Sequence, residues 1–518
     1  MPESNTSVNQ VQAANQSISG RTALLITAAG GLCFGIAGIV TACGLPLLAG
    51  FALLGAALGC RGRARPFWLV LLWGAIGYAT GLSWCLVFGG VPWLLLTAWH
   101  VLFLLPAAML AGLLVRQGRI APSSLALAGL FALGEWLRGR GDLGVSMHTA
   151  AGALARSLPA VQWAGVFGPE GLSCAAAAIG LLLGFSWKAR RPVAAAAAVA
   201  EIAVLHAGGL VLLRSGPAPA GHIAIAAVQG VSADGFKQTL SASKAEDAYI
   251  ALTTDAAKQH GARAVVWPET SCPGDPVTDD SLQLRLATAF KRLGVSALVG
   301  CQARQPGPEG LPVLRNLVLG FGPDGFLTGA YEKMRLVPFG EYVPRREAWP
   351  PVLGRWGVPE EDYAPGREWP PVPLGDAKAG VLVCSESMFP ELAAKRVRQG
   401  ANLLAVASND SYFKRTPGAG QIARQSILRA VETRRSVARA AETGYSMMID
   451  PRGRVLSESR LYERTVVSAR LPLTNAETVY SQTTGWWPPI IAALTALASA
   501  AASWRRRGGS SAPSDRPS

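Results

Sequence analysis

The sequence predicts a polytopic α-helical membrane domain of about eight spans joined to an extracytoplasmic α/β sandwich. Three observations predict it. Only 16% of the 518 residues are charged and 50% are hydrophobic, with a mean hydropathy of +0.28, whereas an average soluble domain has about 25% charged residues. Apolar runs of span length fill residues 21–214 and return at 484–504. Between them, residues 220–475 change to short β-rich runs alternating with helical stretches. This composition excludes disorder, coiled coil and a disulfide scaffold as the main class.

The chain opens with a polar, Ser/Asn/Gln-rich tail over 1–20, expected to be disordered and cytoplasmic. It carries no cleavable signal pattern, so the first span is expected to serve as an uncleaved anchor. Seven apolar runs follow, near 22–41, 44–60, 67–87, 92–115, 121–137, 162–186 and 193–213. Several reach the roughly 20 residues a helix needs to cross a bilayer. The uncharged stretch from Thr22 to Cys60 divides at Gly44-Leu45-Pro46, a turn signal. The eighth run, 484–504, starts with Trp486, Trp487, Pro488 and Pro489, and the tryptophans suit an interfacial belt. A basic, Ser/Pro/Gly-rich tail, 505–518, closes the chain.

Arginine placement orients the spans. Arg61, Arg63 and Arg65 follow run two; Arg116 and Arg119 follow run four; Lys188, Arg190 and Arg191 follow run six; Arg505–Arg507 follow run eight. Both termini are therefore expected in the cytoplasm and the segment after about 214 on the far side. The loop after run five departs from the pattern with Arg138, Arg140 and Arg156, and its irregular stretch near 144–160 is expected in the interface. The net charge of +15 is then that of basic loops, and no nucleic-acid partner is expected. The eight cysteines lack CxxC spacing, so neither a metal site nor a disulfide framework is indicated. Cys272 and Cys301 are expected as two free, buried thiols. Glu170, Glu201, His100 and His206 fall in or beside spans. Such ionisable groups are functional by default, but packing or interfacial roles are the favoured expectation.

In the soluble part, 222–229, 262–267, 295–300, 380–384 and 401–407 read as buried strands. Segments near 244–259, 279–293, 389–399 and 419–440 read as helices, and 316–326 and 445–456 as hairpins turning at GPDG and DPRG. A layered α/β sandwich follows. The last helix carries Arg424, Arg429, Arg434, Arg435 and Arg439, for which a solvated or ion-paired face is the default and headgroup contact the sharper reading.

Three segments can carry chemistry: VVWPET with Glu269, YEKMRLVPFGEYVP with Lys333 and Glu341, and GVLVCSES with Cys384 and Glu386. A cysteine attacks as thiolate and needs a base, which Glu269 could supply, while Lys333 could hold an oxyanion. Singly, each has a bland reading: a small buried hydrophobe, a solvated turn acid and a surface lysine. Together, in this order, they are far more specific.

The ordered Glu269–Lys333–Cys384 set resembles the nitrilase (carbon–nitrogen hydrolase) superfamily, and LVPFGEYVP, residues 336–344, resembles the signature of the bacterial apolipoprotein N-acyltransferase family. Further matching pieces are Val228-Gln229-Gly230, Glu135 with Leu137-Arg138-Gly139, Ser408-Asn409-Asp410, and Arg429-Ala430 with Glu432. The resemblance implies a nitrilase-like αββα sandwich on eight spans in a bacterial inner membrane. It implies ping-pong transfer of an acyl chain from a phospholipid, phosphatidylethanolamine foremost, through a Cys384 thioester to the α-amine of a diacylated apolipoprotein. Glu269 would be the base, Lys333 the oxyanion partner, and Glu341 and Glu386 supporting acids. No cofactor and a monomeric state are expected. The chain departs from the family pattern at Ser385, Tyr412, Ile422, Glu442 and the loop near Gly144–Met147, and a tryptophan expected shortly after Val228-Gln229-Gly230 is absent, with Phe236 nearby. The departures leave room for a membrane-anchored amidase-like paralogue with another acceptor. A non-catalytic transporter or scaffold would leave the triad unexplained.

Overall fold

The computed structural model describes residues 20–40, 44–60, 65–116, 120–216, 218–230, 242–307, 311–348, 361–367, 370–483, 490–491, 493–498 and 501. The 1–19 part of the first tail, the tail 505–518, Arg61, Arg63, Arg119, Phe236 and Trp486–Pro489 lie outside them.

Every one of the first seven apolar runs becomes helix. They are α1 (Gly20–Ile39), α2 (Leu45–Leu58), α3 (Pro66–Gly81), α4 (Gly90–Leu102), α5 (Leu105–Arg116), α6 (Ile120–Arg138), α9 (Ala164–Lys188) and α10 (Pro192–Arg214), with the short α7 (Ala150–Leu154) and α8 (Leu158–Val161) between. Among the described residues, α1, α6, α9 and α10 are long and apolar enough to cross a membrane; α4 and α5 make a fifth if the pair, bent by 44°, is one span, and α2 and α3 are shorter apolar helices. Two runs break at proline. Pro106 at the start of α5 has no N–H to continue the ladder from α4. In α9, Gly168 takes φ 69° immediately before Pro169 and kinks the helix. The third run is helical only to Gly81 and tightens to 3₁₀ over Ser83–Phe88. Of the terminal run, 490, 491, 493–498 and 501 are described, and all are helical.

The part after α10 is two six-stranded sheets face to face. Its elements are β1 (Gly221–Gln229), α11 (Ala242–Gln259), β2 (Ala264–Val266), α12 (Asp280–Leu293), β3 (Ser296–Pro306), β4 (Pro312–Phe321), β5 (Leu327–Glu332), β6 (Val372–Leu374), β7 (Ala377–Val383), α13 (Pro390–Arg398), β8 (Leu403–Ser408), α14 (Pro417–Thr433), β9 (Ser436–Ala441), β10 (Met447–Ile449), β11 (Val455–Glu458), β12 (Thr465–Leu473) and α15 (Val479–Thr483). The orders are β12-β1-β2-β3-β4-β5 and β11-β10-β9-β8-β7-β6. β1–β2–β3 and β7–β8–β9 run parallel, so their near-continuous apolar runs are covered on both faces. Ile225, Val266, Val381 and Ala405 meet between the sheets. Tyr249, Trp267 and Phe290 fill the layer under α11 and α12. Both expected hairpins form, β4–β5 and β10–β11.

The expected 419–440 helix is the main correction. It ends at Thr433, Arg434 turns left-handed at φ 50°, and 436–441 is β9 in the middle of a sheet. Its arginines are buried rather than solvated, and two of them are ion-paired. The helix is buried almost throughout, because one side packs on the second sheet and the other on the membrane helices. Arg429 pairs with Glu432 at 2.6 Å, Arg439 with Asp410 at 2.8 Å, and Arg424 donates to Gly38 O. The 144–160 stretch is likewise covered by protein: Met147, His148 and Ala150–Ala155 are buried. Glu170 and His100 are buried, Glu201 and His206 exposed on α10, and Cys272 and Cys301 both buried.

Candidate active site

The predicted residues converge at one edge of the sandwich, because strand ends of both sheets meet there. Glu269 follows β2, Lys333 follows β5, and Cys384 follows β7. Lys333 is 1% exposed, and its Nζ donates to Glu269 Oε1 at 3.0 Å and to Glu341 Oε1 at 2.7 Å. A buried ammonium between two carboxylates is compensated; removing Lys333 would leave two buried carboxylates without their counter-charge.

Glu269 is held on all sides. Oε1 also accepts from Asn316 Nδ2 at 2.7 Å, and Oε2 accepts from the Asn409 N–H at 2.8 Å. Burial alone would raise its pKa, but the Lys333 charge and these hydrogen bonds outweigh burial and hold it below the ordinary carboxylate value. Burial would likewise lower the Lys333 pKa, yet the charges of Glu269 and Glu341 push it well above normal. Both groups are therefore charged at neutral pH.

Cys384 sits at φ 48° where β7 breaks into a 3₁₀ turn. A left-handed non-glycine residue is strained and concentrates at functional sites; Thr270 and Phe339, within the other two segments, share the feature at 51° and 61°. Cys384 Sγ lies 3.9 Å from Asn409 O. The Asn409 backbone thus meets the thiol with its carbonyl and the base with its N–H. Burial first, then the Glu269 charge, pushes the thiol pKa up, with Lys333 opposing. A resting thiol beside a resting carboxylate suits proton transfer at the moment of attack.

Glu386 does not contact the Lys333 ammonium directly. It staples the segments. Its carboxylate accepts the N–H groups of Val383 at 2.8 Å, Met334 at 2.9 Å and Arg335 at 3.1 Å, and the Tyr331 hydroxyl at 2.9 Å. The residue before the nucleophile and the two after the lysine are tied to one buried side chain. Glu341 is fixed by accepting from Val337 N at 2.8 Å.

Sequence reasoning missed Asn316, whose amide reaches Glu269 and, at 3.2 Å, Glu341. The available signal was Arg315-Asn316, a polar pair inside an apolar strand. It also missed how Asp410 works: Arg439 grips both its oxygens at 2.9 and 2.8 Å, and Ser408 Oγ donates at 2.6 Å. This anchors the loop of Asn409. Tyr412 stands exposed on that loop.

Residues 224–480 match the carbon–nitrogen hydrolase family model, and residues 28–182 match that of the apolipoprotein N-acyltransferase N-terminal domain. The apolipoprotein N-acyltransferase of Allorhizobium ampelinum is 30% identical over 80% of this chain and 81% of its own. That of Geobacter metallireducens is 28% identical over 83% and 86%. Among solved structures, an amidase from Nesterenkonia sp. is 22% identical, covering 49% of this chain and 91% of its own with a TM-score of 0.37.

Proposed function

The chain belongs to the apolipoprotein N-acyltransferase family, and from that premise we propose that it transfers an acyl chain from a phospholipid, through a Cys384 thioester, to the N-terminal diacylglyceryl-cysteine of a lipoprotein. The observation that carries the mechanism is the buried Glu269–Lys333–Glu341 charge set meeting Cys384 at one sheet edge. Glu269 takes the thiol proton as sulfur attacks the ester carbonyl, and Lys333 holds the oxyanion. The ester C–O bond breaks, and Glu269 returns the proton to the departing lysophospholipid. In the second half the α-amine attacks the thioester, its proton passes to Glu269, the C–S bond breaks and the thiol is restored. Glu341 positions the lysine, and Glu386 positions the turn that carries Cys384. The donor is phosphatidylethanolamine, the enzyme works as a monomer, and the chemistry needs no cofactor.

We further infer eight spans in a bacterial inner membrane, both termini cytoplasmic and the sandwich on the far side. What supports this is the arginine pattern together with α10, whose Val193, Val204 and Val211 are 83, 66 and 64% exposed. An apolar face of that length fits lipid better than water.

Intact mass of the detergent-purified protein after incubation with phosphatidylethanolamine, beside Cys384→Ser, tests the reading. A hydroxylamine-labile acyl adduct on the wild type alone is expected. No adduct with any phospholipid would overturn it. One observation favours a second reading, an amidase-like paralogue: the hydroxyl of Ser385, next to the nucleophile, is buried with no hydrogen-bond partner, a place where another substrate could be held. Release of the acyl group to water rather than to any amine would select it.

A further inference from the structure

Two residues beyond Lys333, the backbone and side chain of Arg335 face opposite ways. Its N–H binds Glu386, inside the site. Its guanidinium leaves the sandwich: Nη2 donates to Gly139 O at 2.8 Å and Gly141 O at 2.9 Å, in the turn that ends α6 of the membrane domain. Those carbonyls lie at a helix C-terminus, where a cation is favoured. Nη1 reaches Glu391 at 3.2 Å, an acid that Arg140 of the same turn also binds at 3.3 Å. The guanidinium stacks over Phe389, 3.4 Å from the ring centroid.

The turn is shaped for this side chain. A Cβ on Gly144 would come within 2.1 Å of Arg335 Nη2 and 2.7 Å of Gly139 O, the carbonyl that Arg335 binds. The same turn takes a second contact from the far flank of the lysine segment, where Tyr342 Oη donates to Asp142 O at 3.3 Å. Tyr342 is adjacent to Glu341, which holds Lys333. One membrane-domain turn therefore grips this segment at two points, Arg335 shortly after Lys333 and Tyr342 directly after Glu341.

We propose that Arg335 is a positioning residue through which the Gly139–Gly144 turn of the membrane domain sets Lys333 against Cys384. The proposal deepens the acyltransfer reading above and rests on it for the identity of the substrate, but not for the reactivity of Cys384. A carboxylate–ammonium–thiol set is sensitive to misplacement by about 1 Å, which can cost on the order of 100-fold in rate. The membrane domain then does more than hold the sandwich near lipid: it completes the oxyanion side of the site.

The test uses the full chain in detergent–lipid micelles and three variants, Arg335→Ala, Arg335→Lys and Gly144→Ala. One arm measures the pH dependence of Cys384 alkylation by iodoacetamide; the other measures thioester formation from phosphatidylethanolamine. Arg335→Ala should lower the maximal acylation rate by about 10- to 100-fold with KM within about threefold. It should also move the alkylation midpoint alkaline, because the thiol loses part of the Lys333 field. Arg335→Lys should recover part of the rate. Gly144→Ala, placed in the other domain, should reproduce the loss. A wild-type rate and midpoint in Arg335→Ala, a change in KM alone, or a folded Gly144→Ala with wild-type kinetics would each overturn the proposal. Should Arg335→Ala fail to fold, Arg335→Lys and Gly144→Ala decide. If the wild type forms no phospholipid adduct, the substrate reading fails, and the alkylation arm still decides the role of Arg335.

Discussion

Asn316 Nδ2 donates to Glu269 Oε1 from 2.7 Å, on the same oxygen that Lys333 Nζ holds from 3.0 Å. The amide also reaches Glu341, so one neutral side chain shares two anions with the lysine and keeps them apart. Asn316→Ala removes a hydrogen bond to a charged group, worth about 1.5–3 kcal/mol. Single-turnover thioester formation should fall by roughly 10- to 100-fold. Asn316→Asp, which adds a third carboxylate around one ammonium, should fall further. An unchanged rate in Asn316→Ala would remove the amide from the machinery.

The Glu269–Lys333 pair should leave a pH signature in stability. Glu269 is held below the ordinary carboxylate pKa in the fold. Its contribution is therefore complete above that ordinary value and is lost as pH falls through the depressed one. Thermal unfolding between pH 7 and 3 should show the wild type losing more Tm below about pH 4 than Glu269→Gln, which starts lower. Parallel curves would contradict the ion pair.

Glu386 offers only acceptors to four donors: three backbone N–H groups and the Tyr331 hydroxyl. Burial pushes its carboxyl above the ordinary value while those donors, and the Lys333 charge, pull it back. Glu386→Gln points an NH₂ at N–H groups and leaves donors facing donors. A loss of about 2–4 kcal/mol is expected, read as a lower Tm, together with slower acylation because Val383 and Met334 are no longer tied. A variant with wild-type Tm would show that the staple is dispensable.

Gly444 has no room for a side chain: a Cβ there would lie 1.8 Å from Asp410 Oδ2. Gly444→Ala should displace Asp410 from Arg439 and, through the loop, withdraw the Asn409 N–H from Glu269. Destabilisation of about 3–5 kcal/mol, the cost of breaking a buried pair, should accompany loss of thioester formation. Hydrogen exchange at Asn409 should rise with it; unchanged protection there would separate the two effects.

Much of this molecule was legible in one dimension because the signals are local. Apolar run length marks a helix that can enter lipid, and strand-ending motifs carry their chemistry in adjacent letters, so Glu269, Lys333 and Cys384 stand out together with the sandwich that hosts them. The reading failed where covering decided the outcome. The stretch 434–441 has the spacing of a basic helix, yet Arg439 lies in a central strand because Asp410, 29 residues earlier, neutralises it inside the sheet. A charge reads as solvated until its partner is known, and the partner is chosen by topology.

The candidate residues Glu269, Lys333 and Cys384 and the order of the apolar runs are properties of the sequence alone, since each rests on side-chain chemistry and on runs a few residues to a span long. What only the tertiary structure decided is which of those groups face one another. Asn316 became a bridge, Glu386 a staple rather than a partner of Lys333, and Arg335 a link to a turn almost 200 residues earlier. The physical reason is that a buried charge is tolerable only where donors and acceptors from distant segments converge on it, and that convergence is made by packing two sheets on each other and one of them, through α14, on the membrane helices.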